Sequence, residues 1–188
     1  MKLENSFEVP GSPEAAWDLL LDVPRVVPCM PGAELTEVVD DSNWKAKIAV
    51  KLGPISLTFA TEVERTEVDE AGRRVVLKAS GRELRGRGQA RATVESSMAA
   101  ANGGTRVDIV TDLRLSGPAA QYGRGIVADV SAQLVGRFAD CLRAQLDAQE
   151  QPEQAEAAVA EAARPVSGLR LGLAAIWQAI TRPFRRER

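Results

Sequence analysis

The alternation of apolar and polar residues between positions 43 and 115 most constrains the fold of this chain. Apolar side chains at every second position of residues 44–52 alternate mainly with lysine, as in an antiparallel strand with one face in water. The same period recurs in residues 3–9, 55–63, 75–79, 90–98 and 107–115, and glycine-containing turns separate several of these segments. The pattern predicts a continuous antiparallel meander of six to seven strands.

Two predicted helices frame this meander. Ser12 and Pro13 can begin a short helix over residues 14–22, and Pro24 is expected to end it. A second helix is predicted from Gly117-Pro118 to about Asp147. Its inner side is predicted to carry Ile126, Val130, Leu134, Phe138, Cys141 and Leu142. The order strand, short helix, strands, long helix predicts an α+β helix-grip fold, in which a curved sheet surrounds the long C-terminal helix and leaves an apolar cavity.

Residues 24–32 contain too many prolines for a helix or a central strand, yet they are more apolar than a surface loop. Either this loop tucks over the core, or Val26, Val27 and Met30 form a flexible lid over the cavity. Both alternatives place it against the interior. The residues predicted to line the cavity are Val27, Met30, Leu57, Phe59, Leu113, Leu115, Tyr122, Ile126 and Val130.

Composition argues against most catalytic and metal sites. The chain has no histidine, which excludes histidine-based triads and histidine zinc sites. Cys29 and Cys141 are too few for a Cys-rich metal site and do not indicate a disulfide framework, so a reducing compartment is expected, with Cys141 in the core. Cys29 lacks a partner that would make it a nucleophile. The carboxylate pairs at 40–41 and 69–70 are interpreted as solvated turns, and no enzyme activity is predicted.

Residues 81–88 mix glycine with three arginines but lack the pattern of a phosphate-binding loop. We interpret them as a mobile basic hairpin at the rim of the sheet; contact with a lipid headgroup or an acidic protein is the alternative. Nucleic acid is not an expected partner, because residues 1–149 are acidic and aromatic residues are few.

Charge divides the chain into three regions: a ligand-binding domain at 1–148, an Ala/Glu/Gln-rich linker at 149–163, and a basic amphipathic helix at 164–188. The last region has six arginines and one glutamate. Its residues predicted to contact a membrane are Leu169, Leu173, Ile176, Trp177, Ile180, Phe184, Arg182 and Arg185. The alternative is that this helix packs on its own domain or on a second copy. The N-terminus lacks the features of a secretory signal, so we expect a cytoplasmic protein attached to the inner face of the cell membrane.

Several short motifs resemble the family of the carbon monoxide dehydrogenase G subunit, within the START-like or SRPBCC helix-grip superfamily. The resemblance covers about residues 1–146. It is carried by residues 7–9 (FEV), 13–20, 29–33 (CMPGA), 51–55 (KLGPI) continuing to Phe59, 103–106 (GGTR), Gly117 and 121–124 (QYGR). Ala60 departs from the glycine expected after the strand aromatic and is expected to affect the shape of the cavity.

The resemblance implies a non-catalytic accessory protein of molybdenum-containing carbon monoxide dehydrogenase or a related respiratory oxidoreductase, recruited to the membrane through its C-terminal region. It also implies binding of an isoprenoid quinone such as menaquinone, which an apolar cavity would suit. The first hypothesis is therefore a carrier that delivers a quinone or similar lipid to the enzyme. The second is an assembly or membrane-recruitment factor, and the third a polyketide cyclase-like enzyme.

Overall fold

The computed structural model describes residues 1–52, 55–86 and 88–150. The elements follow in the order β1 (Lys2–Pro10), α1 (Pro13–Leu21), α2 (Val23–Val26), a 3-10 turn (Val27–Cys29), β2 (Ala33–Val38), β3 (Asn43–Leu52), β4 (Ile55–Asp69), β5 (Arg74–Glu83), β6 (Gln89–Ala101), β7 (Gly104–Leu115), a second 3-10 turn (Gly117–Gln121) and α3 (Arg124–Glu150).

In this described part of the chain, seven strands form one antiparallel sheet in the order β1-β7-β6-β5-β4-β3-β2. The meander from β2 to β7 pairs each strand with the next, and β1 joins the far edge beside β7. Register shifts between Leu35 and Glu37 and between Arg65 and Glu67 are β-bulge positions, which increase local twist. The prediction of a curved antiparallel sheet with a long C-terminal helix is confirmed.

One face of the sheet, which we call the inner face, packs against α3. Leu3, Phe7 and Val9 of β1 are buried on this face, and Phe7 meets Phe138 of α3 edge to face with ring centroids 6.2 Å apart. Two residues before Phe7, Asn5 Nδ2 donates to Ser131 Oγ of α3 at 3.1 Å. Because side chains alternate between the two faces of a strand, the pairing with β1 identifies the residues of β2 to β7 that lie on the inner face.

The prediction that residues 24–32 form no helix is wrong. Ser12 caps α1 as expected, its Oγ accepting from the Ala15 amide, but Asp22 both closes α1 and caps α2, because its Oδ1 accepts from the Arg25 amide at 3.2 Å. Pro24 sits in the first turn of α2, where its missing N–H would have no helical partner in any case. It thus begins a second helix instead of only ending the first.

The predicted start of the long helix is also wrong. Residues after Gly117 form a 3-10 turn, Tyr122 is extended, and α3 begins only at Arg124 and continues to Glu150. In the first turn of α3, Val127 is buried and Ile126 is 44% exposed. The prediction that Ile126 lies on the inner side of the long helix is therefore wrong.

Cys29 and Cys141 form a disulfide, with their Cα atoms 5.3 Å apart across a sequence separation of 112 residues. The expectation that these cysteines form no disulfide is wrong. Their spacing carries no sign of the contact, because it arises only when the 3-10 turn of residues 27–29 packs on α3.

Candidate ligand-binding cleft between the sheet and the long helix

Buried apolar side chains of the described residues fall into two clusters. The first core cluster joins β1, α1, the 3-10 turn and the C-terminal half of α3; it includes Phe7, Trp17, Val26, Cys29, Phe138 and Leu142. The second core cluster lies at the β3–β4 turn and contains Leu52, Leu57, Phe59 and Ala119, with Leu115, Tyr122 and Val130 packed against it. The core is therefore divided along the length of the helix.

The structure brings five of the nine predicted lining residues together. Leu57, Phe59, Leu115, Tyr122 and Val130 all belong to or pack against the second core cluster. Their common face follows from the strand alternation and from the apolar stripe of α3, the two signals that support the prediction. Whether they contact a ligand stays a prediction.

The other four predicted lining residues are dispersed. Met30 packs against the first core cluster, and Val27 is half-buried in the 3-10 turn. Leu113 is half-buried on the inner face of β7, outside both clusters of the described residues. Ile126 is exposed, as described above.

The middle of the inner face belongs to neither cluster. Val94 of β6 pairs with Thr111 of β7, which pairs with Leu3 of β1, so Val94 lies on the same face as Leu3. The same register places on this face the half-buried side chains Val63, Ala79, Ala92, Val94 and Leu113. Leu134 of α3, between Ser131 and Phe138, is half-buried too.

Val94, Leu113 and Leu134 are only partly buried and do not line the groove on the outer face described below, which indicates that protein atoms do not completely fill the space between sheet and helix. Interiors are normally packed as densely as organic crystals, so apolar residues that stay partly accessible on facing elements indicate a cleft between them. We take this cleft as the candidate site. The predicted lining omits Val63, Val94 and Leu134, although the strand alternation places Val63 and Val94 on the correct face of the sheet and the apolar stripe places Leu134 on the inner side of the helix.

Polar groups on the inner face include Thr111, which pairs with Val94 and Leu3, and Ser96. Asn5 and Ser131 bond to each other, and buried Thr61 lies beside Phe59 on β4. Glu83, 4% exposed, follows on the same face of β5 and accepts a hydrogen bond from the Arg85 amide at 2.9 Å. Apolar walls with a small number of placed polar groups are typical of sites for hydrophobic small molecules.

Residues 23–32, which we call the lid, connect α1 to β2 and pack on the first core cluster. Just before the lid, Arg65 of β4 donates to the Leu21 carbonyl at 3.1 Å and to the Asp41 carbonyl at 2.6 Å, while its guanidinium lies 5.3 Å from the Trp44 ring centroid. At its other end, the Gly32 carbonyl accepts from the Ala49 amide at 2.8 Å. Both ends of the lid are thus attached to the sheet.

Ala60 does not reach the cleft. It pairs with Lys47 and Arg82, faces the opposite, outer side of the sheet, and is exposed. The expectation that Ala60 affects the cavity is therefore wrong.

A groove of about 620 Å³ lies on the outer face of the sheet. It runs across β3 to β7 and is lined by charged side chains that include Lys45, Glu62, Lys78, Arg91 and Arg114. Of the described residues that line it, none is among the nine predicted ones. It is a wet, mixed-charge surface and not the predicted apolar site.

The carboxylate pairs lie in turns, as expected. Asp40 accepts from the Ser42 amide at 2.8 Å and from Asn43 Nδ2 at 2.9 Å, and these hydrogen bonds lower the pKa of its carboxyl. Asp69 accepts from the Gly72 amide at 2.9 Å. Within the described residues, no cluster of three or more His, Cys, Asp or Glu side chains is arranged to hold a metal ion.

The basic hairpin is present at the rim of the sheet. The Leu84 amide donates to the Thr58 carbonyl at 2.8 Å, and the Leu84 side chain is 58% exposed. The predicted linker beyond residue 150, the helix at 164–188 and its eight predicted membrane contacts lie outside the described residues. No helix in the described residues is long and apolar enough to cross a membrane.

A family model described as the G subunit of carbon monoxide dehydrogenase (CoxG) matches residues 6–147 of the chain. No curated protein matches the sequence significantly. Among solved structures, a conserved protein from Geobacillus kaustophilus is similar with a TM-score of 0.69 at 19% identity, covering 78% of this chain and 95% of that one.

Two further solved structures share the fold. An aromatase/cyclase from Streptomyces sp. R1128 has a TM-score of 0.57 at 12% identity, and the match covers 79% of this chain and 94% of that one. A START superfamily protein from Mycobacterium smegmatis has a TM-score of 0.52 at 14% identity, and the match covers 78% of this chain and 97% of that one. At these identities the likeness concerns the fold alone.

Proposed function

The chain belongs to the family of the G subunit of carbon monoxide dehydrogenase (CoxG), and we propose that it is a non-catalytic carrier of an isoprenoid quinone. It takes up a menaquinone-like quinone at the membrane and delivers it to a molybdenum-containing carbon monoxide dehydrogenase or a related respiratory oxidoreductase. The observation that carries the proposal is the apolar cleft between the inner face of the sheet and α3.

The chemistry of a quinone fits such a cleft. Its ring and prenyl tail are costly to expose to water, so a protein that moves it out of a bilayer must replace lipid with apolar walls. Val94, Leu113 and Leu134 supply such walls, and the Asn5–Ser131 pair supplies polar groups that could orient a quinone carbonyl. The carrier makes and breaks no bond, since transfer is a partition between lipid, cleft and enzyme.

Membrane attachment is the second part of the proposal. Apolar residues at helical spacing in 164–188 include Leu173, Trp177 and Phe184, and six arginines accompany them. Partial insertion of such a helix and attraction of its arginines to anionic lipid are each favourable, at about 1 kcal/mol per arginine near the surface. We therefore place the protein at the inner face of the cytoplasmic membrane.

The proposed function is tested with a substitution that fills the cleft. We expect Ala79→Trp to reduce uptake of menaquinone from loaded vesicles by roughly tenfold or more, because the indole occupies space on the inner face. Ala60→Trp, the matched control on the outer face, should leave uptake unchanged. Urea unfolding checks that both variants fold, and quinone bound to the protein is measured after separation from the vesicles.

The outcomes separate carrier, recruitment factor and enzyme. If the wild-type protein takes up no menaquinone, the carrier function is wrong. If Ala79→Trp abolishes uptake but full enzyme activity at the membrane persists, the protein acts as a recruitment factor. Turnover of an aromatic polyketide substrate would instead favour the activity named for the Streptomyces neighbour.

A further inference from the structure

We propose that the Cys29–Cys141 disulfide is a redox-controlled latch on the lid. In the oxidised protein it holds residues 23–32 against α3, and reduction by a dithiol releases them and speeds ligand exchange. This proposal rests on the proposed function, because it concerns access to the same cleft.

The lid is attached to the sheet at its two ends and to α3 near its middle, where the attachment includes a covalent bond. Its two ends are attached to the sheet by Arg65 at Leu21 and by Ala49 at Gly32. Between these ends, the disulfide attaches Cys29 to Cys141 of α3. A segment with fixed ends and a cleavable central bond can lift away from the helix without disturbing the sheet.

Noncovalent contacts also hold the lid, because Val23, Val26 and Cys29 are buried. Gln145 Nε2 donates to the Arg25 carbonyl at 3.3 Å and to Cys29 Sγ at 3.1 Å. Val26 is buried in the first core cluster, whereas Met30 and Val27 are only half-buried. In the reduced protein these contacts keep the lid closed on average, and opening the lid no longer requires a covalent bond to break.

The surroundings of the two sulfurs favour attack on one of them. Cys29 is 4% exposed and Cys141 is half-buried, so an incoming thiolate reaches Cys141 more readily. Attack on Cys141 Sγ forms a mixed disulfide and expels Cys29 as a thiolate, which the Gln145 amide group stabilises by its hydrogen bond. The second thiol of the reductant then attacks the mixed disulfide. The protein ends with two thiols and the reductant with a disulfide.

A latch of this kind suits the proposed location of the carrier. Disulfides in reducing compartments are usually transient and respond to the local redox state. A carrier that serves a redox enzyme would then hold its ligand in oxidising conditions and exchange it in reducing ones.

The test uses the full chain, oxidised or treated with dithiothreitol. We expect reduction to increase amide hydrogen exchange in residues 23–32 while exchange in β6 and β7 stays unchanged, and to speed uptake of a short-chain menaquinone from phosphatidylglycerol-containing vesicles by roughly tenfold. Cys29→Ser and Cys141→Ser should behave like the reduced wild type and should not respond to dithiothreitol. Reduction of the wild type needs no substitution, so it gives an answer even if a variant fails to fold.

The possible failures are distinguishable. Detection of two free thiols after oxidative treatment, or unchanged exchange in the lid on reduction, overturns the latch. Increased lid exchange with no menaquinone uptake in either state overturns the proposed function and supports the latch as a device of the fold alone. Increased lid exchange with unchanged, measurable uptake overturns control of the cleft by the lid.

Discussion

The single side chain of Arg65 joins three parts of the molecule. Its guanidinium bonds to the carbonyls of Leu21 and Asp41 and lies over Trp44, so it joins the end of α1, the β2–β3 loop and the inner face of β3. We expect Arg65→Ala to lower the free energy of unfolding by about 2 kcal/mol, since two hydrogen bonds to a charged donor and a cation–π contact are lost together.

A second arginine provides the control. The Arg114 side chain is 81% exposed, and its ion-pair partner among the described residues is Asp112, at 4.0 Å, so Arg114→Ala should change stability by less than about 0.5 kcal/mol. Urea unfolding measures both variants, and the dependence on urea should keep its slope. Equal effects of the two substitutions would show that the position of Arg65 is not special.

Gly32 decides how closely the lid element approaches the sheet. Its φ is +79°, and a Cβ at this position would overlap the carbonyl oxygen of Ala49. Gly103 has a similar φ of +86° but open space around the same position. Both alanine variants should lose about 1 kcal/mol to backbone strain, and Gly32→Ala should lose a further ~1–3 kcal/mol to the close contact. Thermal unfolding of the pair measures the difference; similar losses would contradict a tight lid–sheet junction.

Elements with a strict local period could be predicted from the sequence, and elements fixed by distant contacts could not. The alternation from Trp44 to Leu52 gives both the strand and its inner face, because that period depends only on neighbouring residues. The first helix ends before Pro24 as predicted, but the sequence did not show that Pro24 also lies in the first turn of a second helix, which Asp22 caps. The Cys29–Cys141 bond depends on packing across 112 residues and leaves no local sign.

The candidate site also has features that local periodicity predicts and features that depend on distant contacts. Periodicity identifies which side chains face α3, and it therefore places Leu57, Phe59 and Leu115 together. It does not say whether those faces meet, because the distance between sheet and helix depends on the curvature of the whole sheet. The prediction that Ile126 lies on the inner side of the long helix is wrong, because Val127 is the buried residue in the first turn of α3; whether Ile126 contacts a ligand stays a prediction.

At the scale of the whole molecule, the proposed function needs two separable capacities, sheltering a ligand and binding a membrane. Residues 1–150 form one compact unit that contains the cleft. The amphipathic pattern lies in residues 164–188, outside the range that contains the named cleft residues. The two capacities should therefore respond to different changes in the chain.

We expect a chain ending at Glu150 to lose binding to anionic vesicles while it still binds menaquinone offered in detergent micelles. Ala79→Trp in the full chain should do the reverse, because its arginine-bearing segment is intact and its cleft is filled. Vesicle co-sedimentation and quinone extraction measure the two capacities. Binding of the full chain should also weaken as salt is added, since arginine attraction to lipid is screened beyond about 10 Å at 0.1 M salt. Vesicle binding that survives truncation would place the membrane contact within residues 1–150 and would make the carrier a surface-docking domain instead of a tethered one.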